Sequence, residues 1–293
     1  MTRTWPAVLC LALSALPLGA QEQTTFHGGT DAVRVDVSVR DGARVVTGLT
    51  ARDFVITDNG VAQDVVDVSF GKLPIDVTIA LDVSLSVTGP LLDDLRRAIL
   101  QLLRDLGPED RLKLVTFNVR ITRVLDFTTD ATAVEQAIRA VRAGGGTSVW
   151  DAVAVSLVSS APPDRRELVV LFSDATDSTS TLRPGALAEV AKRTDTTLTA
   201  VVPAAVTQTG LRGDPGARLA TLETLGKETG GSVIPVGADL TATFRRAIDE
   251  FRSSYVLHFI PKGVERTGFH ELDVNVKGNK KLSVRARRGY VGG

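Results

Sequence analysis

The stretch Ile75-Asp76-Val77-Thr78-Ile79-Ala80-Leu81, followed by Asp82-Val83-Ser84-Leu85-Ser86, decides the fold of this chain. Its first seven residues are apolar except for Asp76 and Thr78, a pattern typical of a strand buried on both faces of a parallel sheet. A second run of this kind is Glu167–Phe172. Helical patterns and short apolar strands alternate around these runs as far as Phe251. The alternation predicts an α/β domain over residues 73–252, with a doubly wound, mostly parallel sheet and helices on both faces.

The segments on either side of this domain have the period of two that indicates half-buried strands. In residues 21–72, a hairpin starts at Val33, and a second hairpin turns at Asp58-Asn59-Gly60 and continues through a Val-rich run to Phe70. In residues 253–293, alternation resumes at Tyr255. Neither flank has enough strands to bury a core alone. We therefore predict that the two flanks pack together into one small β-sandwich, with the α/β domain inserted between them.

The N-terminus has the three parts of a secretory signal peptide. Arg3 is followed by an apolar run over Ala7–Leu16 and by the small residues Gly19 and Ala20. We expect residues 1–20 to be removed and the protein to be secreted or periplasmic. A buried N-terminal helix is the alternative, whereas a lipoprotein signal is disfavoured because the large Leu9 precedes Cys10. No later stretch approaches the roughly 20 apolar residues of a membrane-spanning helix, so the mature chain is expected to have no transmembrane segment.

Composition excludes several classes of function. The chain has 293 residues, 34 basic and 34 acidic, so its formal net charge is zero. A non-specific nucleic-acid binder needs a basic excess, and none is expected here. With one Cys and three His, the chain cannot build a Cys-rich zinc module, a disulfide scaffold or a CxxC redox centre. The basic cluster near the C-terminus is interpreted as a solvated strand face and consists of Arg285, Arg287 and Arg288.

Polar residues with metal-binding chemistry follow both buried strands. Asp82, Ser84 and Ser86 come after the first strand, Asp174 comes after the second, and Thr147 follows three consecutive glycines. Because ligands bind beyond the carboxyl ends of parallel strands, these side chains can meet in one crevice. Two carboxylates and three hydroxyls are hard oxygen ligands, which suit Mg²⁺ or Mn²⁺.

The residues around this set are interpreted structurally rather than as ligands. Asp151 is expected to be a helix N-terminal charge that also steadies the Thr147 loop, and Asp177 a solvated loop residue. Trp150 is expected to pack beneath the site. The three histidines fall in or next to the β flanks, so a Ser-His-Asp triad lacks its base. The sequence also has no GxSxG, phosphate-loop, HExxH or EF-hand motif.

Asp82-x-Ser84-x-Ser86, Thr147 and Asp174 together resemble the metal-ion-dependent adhesion site of von Willebrand factor A (VWA) domains. The flanks are similar to those of bacterial exported "VWFA-related" proteins, in the segments Leu49–Phe54, Ser254–Leu257 and Arg287–Tyr290. The resemblance implies that Ser84, Ser86 and Thr147 bind Mg²⁺ directly, with Mn²⁺ or Ca²⁺ as alternatives. It implies that Asp82 and Asp174 bind directly or through water, and that one coordination position stays open for a partner carboxylate. One departure is Ala175, where many members have Gly.

The leading hypothesis is an exported binding module that captures a protein presenting Asp or Glu through its metal ion. The first alternative is a structural component of an exported assembly, in which the site has a fixed internal partner. The second is a metal-activated hydrolase, which would need a nearby base and phosphate-binding Lys or Arg that the strand ends do not supply.

Overall fold

The computed structural model describes residues 32–158, 162, 164–204, 215–237, 239–278 and 281–293. The predicted signal peptide, residues 1–20, lies outside the described residues. The strands of the N-terminal flank are β1 Val33–Asp41, β2 Arg44–Val45, β3 Phe54–Asp58, β4 Val61–Gln63 and β5 Val65–Phe70, with a 3₁₀ turn at Ala51–Asp53. The strands of the central domain are β6 Ile75–Asp82, β7 Arg111–Phe117, β8 Ile121–Thr128, β9 Arg166–Phe172, β10 Thr197–Val202 and β11 Ser232–Pro235. The strands of the C-terminal flank are β12 Tyr255–Phe259, β13 Gly268–Val276, β14 Ser283–Ala286 and β15 Gly289–Gly292.

Among the described residues, the α-helices all belong to the central domain. They are α1 Pro90–Asp105, α2 Ala131–Ala140, α3 Val149–Leu157, α4 Pro184–Lys192, α5 Pro215–Thr229 and α6 Leu240–Arg252. Within the described part of the chain, no helix has the length and apolar character needed to cross a membrane.

The central sheet has the strand order β11-β10-β9-β6-β7-β8. Its strands pair in parallel, except that the edge strand β8 runs antiparallel to β7. One face is covered by α1, α2 and α6, which form a core with Ile79 and Leu81 of β6. The other face is covered by α3, α4 and α5, whose core includes Ala80. The predicted α/β class, with helices on both faces of a mostly parallel sheet, is therefore confirmed.

The two flanks contribute strands to the same sheets. One sheet has the order β14-β1-β12-β5 with β2 paired to β1, and the other has the order β15-β13-β3-β4. The predicted second hairpin is only partly correct, because its Val-rich arm is two strands. Val61–Gln63 returns along β3 as expected, whereas Val65–Phe70 leaves that sheet and pairs with β12. The C-terminal strand β15, which pairs with β13, was not predicted.

Tyr255 joins the two flanks in one core. Its ring packs edge-on against Phe54 at a centroid distance of 5.3 Å and lies 4.8 Å from the ring of Phe70. Its hydroxyl donates to the Val46 carbonyl at 3.0 Å and accepts the Leu49 N–H at 3.1 Å. The ring of Tyr255 therefore packs into the core, while its hydroxyl fixes the segment between the first hairpin and β3 by hydrogen bonds.

The basic cluster near the C-terminus is only in part the solvated strand face that the sequence suggested, because Arg288 alone of the three is exposed. Arg287 is buried and forms an ion pair with Asp195 of the central domain. Arg285 lies 3.3 Å from a Glu250 carboxylate oxygen, and the longer contact of Arg288 to Glu228 is 3.7 Å. The sequence could not reveal these acids because they lie 35 to 92 positions away along the chain.

Candidate functional site

The candidate site lies where the order of the central sheet reverses. After β6 the chain first adds β7 on one side of that strand and later adds β9 on its other side. In the β6–β9 pair, Leu81 lies opposite Phe172. Crevices outside the carboxyl ends of such strands are the usual ligand positions of open α/β sheets. Asp82 ends β6 and Asp174 follows β9, which brings the two predicted carboxylates to this crevice.

Asp82 is fully buried at the end of β6. One carboxylate oxygen accepts the Ser84 N–H at 2.9 Å and the other accepts the Ser173 hydroxyl at 2.7 Å. Burial raises the pKa of the Asp82 carboxyl, and the charge of Asp174 adds to this effect, although the hydrogen bonds from Ser84 and Ser173 act in the opposite direction. The ionised carboxylate is thus costly in this position, and a bound cation would reduce that cost.

The two hydroxyls after β6 lie side by side. The Ser84 and Ser86 hydroxyl oxygens are 3.0 Å apart. Val83 and Val87 are buried on either side of them and anchor the loop, and the Val87 N–H donates to the Ser84 carbonyl. This arrangement makes the alternate positions Ser84 and Ser86 face the same way.

The glycine-rich loop connects the loops that follow β6 and β9. The Gly144 N–H donates to the Val83 carbonyl at 2.7 Å. Thr147 is buried, its N–H donates to the Ser178 hydroxyl at 2.9 Å, and its carbonyl accepts the Ser178 N–H at 2.9 Å. Gly145 has φ +83°, a left-handed conformation that glycine adopts without steric cost. Through these bonds the loop brings Thr147 to the strand ends that carry the carboxylates.

Asp174 begins a tight turn after β9. Its carboxylate accepts the Thr176 N–H at 2.8 Å, and the side chain is half-buried. The next residue, Ala175, is fully buried with φ +57°. An L-residue in this conformation costs roughly 1–2 kcal/mol. The chain therefore keeps the backbone shape suited to Gly at the one position where the sequence departs from the pattern it resembles.

The structure corrects the roles of two neighbouring acids. Asp177 is not a solvated loop residue, because its carboxylate accepts the Val149 N–H at 2.8 Å at the start of α3. Asp151 lies in the first turn of α3 as expected, but its carboxylate accepts the N–H groups of residues 181–182 rather than holding the Thr147 loop. Trp150 is buried in the core between the sheet and helices α3, α4 and α5.

Ser173 and Ser178 are supporting residues to which the sequence analysis gave no role. Ser173 donates to Asp82 and accepts the Ala175 N–H at 3.0 Å. Ser178 holds Thr147 from the opposite loop. The density of small polar residues from 173 to 180 was the available signal, since such residues are suited to hydrogen bonds with nearby backbone groups.

The donor chemistry of the site is all oxygen. In the ranges that the structure describes, no group of three or more His, Cys, Asp or Glu side chains is placed to hold a metal ion. The candidate set has two carboxylates and depends on hydroxyls for its other donors. His270, by contrast, is buried in the β flank with its Nδ1 2.8 Å from an Asp58 carboxylate oxygen. The residues at the crevice thus fit a hard cation such as Mg²⁺ better than a metal that prefers nitrogen or sulfur.

Comparison with known proteins gives one family match. Residues 77–176 match the model of the von Willebrand factor type A domain. Inter-alpha-trypsin inhibitor heavy chain H4 of Sus scrofa is 28% identical over 165 residues, which are 54% of this chain, and the match spans 16% of the length of that protein.

Solved structures include two bacterial proteins similar to this chain. BatB from Bacteroides thetaiotaomicron is 16% identical, covering 60% of this chain and 98% of that one, with a TM-score of 0.48. The vWF domain of the type V pili tip protein Mfa5 from Porphyromonas gingivalis is 14% identical, covering 59% and 93%, with a TM-score of 0.44.

Proposed function

Since the chain contains a von Willebrand factor type A domain, we propose that it is a protein-binding module that captures a partner carboxylate through Mg²⁺. The proposed ligands are Asp82, Ser84, Ser86, Thr147 and Asp174. The observation that carries the proposal is the buried Asp82 carboxylate, which lies beside the paired Ser84 and Ser86 hydroxyls at the reversal point of the sheet. Mn²⁺ and Ca²⁺ are the competing ions for the same oxygen donors.

The chain's own residues prepare the site before any ion binds. The Ser84 N–H and the Ser173 hydroxyl hold Asp82 in one orientation, and Thr176 holds Asp174. The hydroxyl ligands are neutral, and both oxygens of Asp82 already share their charge with protein donors. Where the carboxylates bind through water, as the resemblance allows, a bound divalent ion would keep positive charge toward solvent, and an Asp or Glu of a partner could complete its coordination.

The competing functions have less support. A metal-dependent hydrolase would need a general base beside the ion. His258 and His270 lie in the β flanks, and the Nδ1 of His270 is within hydrogen-bond distance of Asp58. A structural role inside an exported assembly would use the same site with a permanent partner. We propose that the module acts outside the cytoplasm, because residues 1–20 have the pattern of a signal peptide.

Titration calorimetry with Mg²⁺ and Mn²⁺ tests the site. Asp82→Asn should lower the affinity more than about a hundredfold, because changes to the residues that merely support metal ligands already cost about 10–100-fold. Thr147→Ala should cost about tenfold, since it removes one neutral ligand and leaves both carboxylates. Asp273→Asn, an exposed substitution on β13, is the matched control and should bind like wild type.

The same variant should behave differently in EDTA. Asp82→Asn removes a buried charge that no cation then compensates, so the metal-free variant should be at least as stable as wild type in urea. An Asp82→Asn protein that binds Mg²⁺ as tightly as wild type would show that the ligand assignment is wrong.

A further inference from the structure

Two apolar side chains are exposed at the edge of the candidate site. Leu85, between Ser84 and Ser86, is 70% exposed, and Val119, in the loop after β7, is 52% exposed. Val83 and Val87 in the same loop are buried, so the loop as a whole packs against the domain and Leu85 is the apolar residue in it that faces solvent. Exposed apolar side chains at the edge of a binding site are surface that a bound partner can cover.

Both side chains lie against the glycine-rich loop. The Leu85 N–H donates to the Gly145 carbonyl at 3.1 Å. Val119 packs over the same glycine, because a Cβ placed on Gly145 would lie 3.7 Å from the Val119 Cγ1. The loop that brings Thr147 to the crevice thus contacts both exposed apolar residues.

A positive charge lies beyond the second carboxylate. The Arg218 Nη1 donates to the Thr176 hydroxyl at 2.9 Å, and the Thr176 N–H donates to Asp174. Within the described ranges, Arg218 makes no ion pair with an acidic side chain. Its guanidinium is therefore available to a second negative group near the site.

We propose that Leu85, Val119 and Arg218 form a recognition surface around the site, called here the rim surface. It selects a protein segment in which the metal-binding Asp or Glu has a large apolar side chain beside it and a second acidic residue nearby. The apolar neighbour covers Leu85 and Val119, and the second acid pairs with Arg218. This inference rests on the proposed function, because the first carboxylate is held by the ion.

Synthetic peptides of one length provide the test. Each contains one Glu, flanked either by Leu or by Ser, and a third set adds a second Glu to the Leu-flanked sequence. Binding to the full chain is measured by fluorescence anisotropy in Mg²⁺ and in EDTA. In Mg²⁺, the Leu-flanked peptide should bind about tenfold more tightly than the Ser-flanked one, and the second Glu should add about threefold.

Variants assign these preferences to the rim surface. Leu85→Ala and Val119→Ala should each remove most of the Leu preference, and Arg218→Gln should remove the gain from the second Glu. All three should keep the Mg²⁺ affinity of wild type in calorimetry. Val158→Ala is the matched control, because Val158 is 74% exposed at the C-terminal end of α3, away from the Thr147 end of that helix.

The possible failures are distinguishable. If Leu- and Ser-flanked peptides bind equally in Mg²⁺ and neither binds in EDTA, the rim surface is refuted while carboxylate capture stands. If no peptide shows Mg²⁺-dependent binding, both proposals are refuted. If Leu85→Ala or Val119→Ala loses Mg²⁺ affinity, the residue acts by shaping the metal loop, and its assignment to the rim surface is overturned.

Discussion

Replacing Arg166 by Met should destabilise the protein by about 3 kcal/mol, the lower end of the range for breaking a buried ion pair. Arg166 begins β9 and its side chain is fully buried. The Nε donates to the Asp36 carboxylate at 2.6 Å, and the Nη2 donates to the Phe251 carbonyl at 2.8 Å and to the Ser254 hydroxyl at 2.5 Å. One side chain therefore connects β1 of the N-terminal flank with the end of α6 and the start of β12.

The magnitude follows from what each partner loses. Asp36 is left without its cation, but it is 16% exposed and keeps some hydration. The Phe251 carbonyl remains satisfied, because the Ser254 hydroxyl also donates to it at 2.7 Å. The guanidinium lies 4.0 Å from the centre of the Phe251 ring, and losing this contact costs about 0.5–2 kcal/mol. Met retains much of the apolar stem, which is why the lower end of the range applies.

Urea unfolding of the full chain measures the effect, with Arg97→Met as the surface control. Arg97 also pairs with an acid, Asp94, but its side chain is 71% exposed, so the control should change stability by less than about 0.5 kcal/mol. A double-mutant cycle with Asp36→Asn should give a coupling of at least about 1 kcal/mol. Because the seven residues of β9 separate Arg166 from the candidate site by roughly 20 Å, Mg²⁺ affinity should not change. A loss below about 1 kcal/mol, or no coupling to Asp36, would refute this account.

Two further predictions concern acid stability and export. Burial raises the pKa of the Asp76 carboxyl, but hydrogen bonds from Arg111 and Arg165 outweigh it and hold the pKa below its ordinary value. A carboxyl whose pKa is lower in the folded than in the unfolded protein stabilises the fold at pH values above its unfolded pKa, near 4, and this stabilisation is lost as pH falls through the folded pKa. Asp76→Asn should therefore lower the free energy of unfolding by about 3 kcal/mol at pH 7 and by progressively less toward pH 2. Urea midpoints across this range measure the difference, and a difference independent of pH would contradict the reasoning. N-terminal sequencing of the exported protein should begin at or near Gln21, and an intact Met1 on folded protein would rule out the signal peptide.

The sequence by itself determined the class of the central domain and its candidate residues. Runs such as Ile75–Leu81, apolar except for Asp76 and Thr78, have the length of strands, and apolar side chains on both faces require cover on both sides, which gives a parallel sheet between helices. Parallel strands end at a common edge, so polar residues that follow two of them can be expected to meet there. These inferences need only local pattern and the geometry of the sheet.

Pairing partners were decided only by the tertiary structure. The Val-rich arm from Val61 to Phe70 has a period of two whichever strand it pairs with, and a local pattern therefore cannot show that Val65–Phe70 changes sheets to pair with β12. The same applies to Arg287, whose acidic partner Asp195 is 92 positions away.

The fine structure of the site was also beyond the sequence. The residues after β9 were visibly rich in Ser, Thr and Asp, but which N–H each oxygen accepts depends on the neighbouring loops. Asp177 holds the start of α3, Ser178 holds Thr147, and Ala175 adopts a left-handed conformation in the resulting turn. Short polar side chains suit several types of turn about equally well, so the local sequence does not select one of them. The choice among them is made by the tertiary structure, which places the loop after β9 within hydrogen-bond distance of Thr147 and of the start of α3.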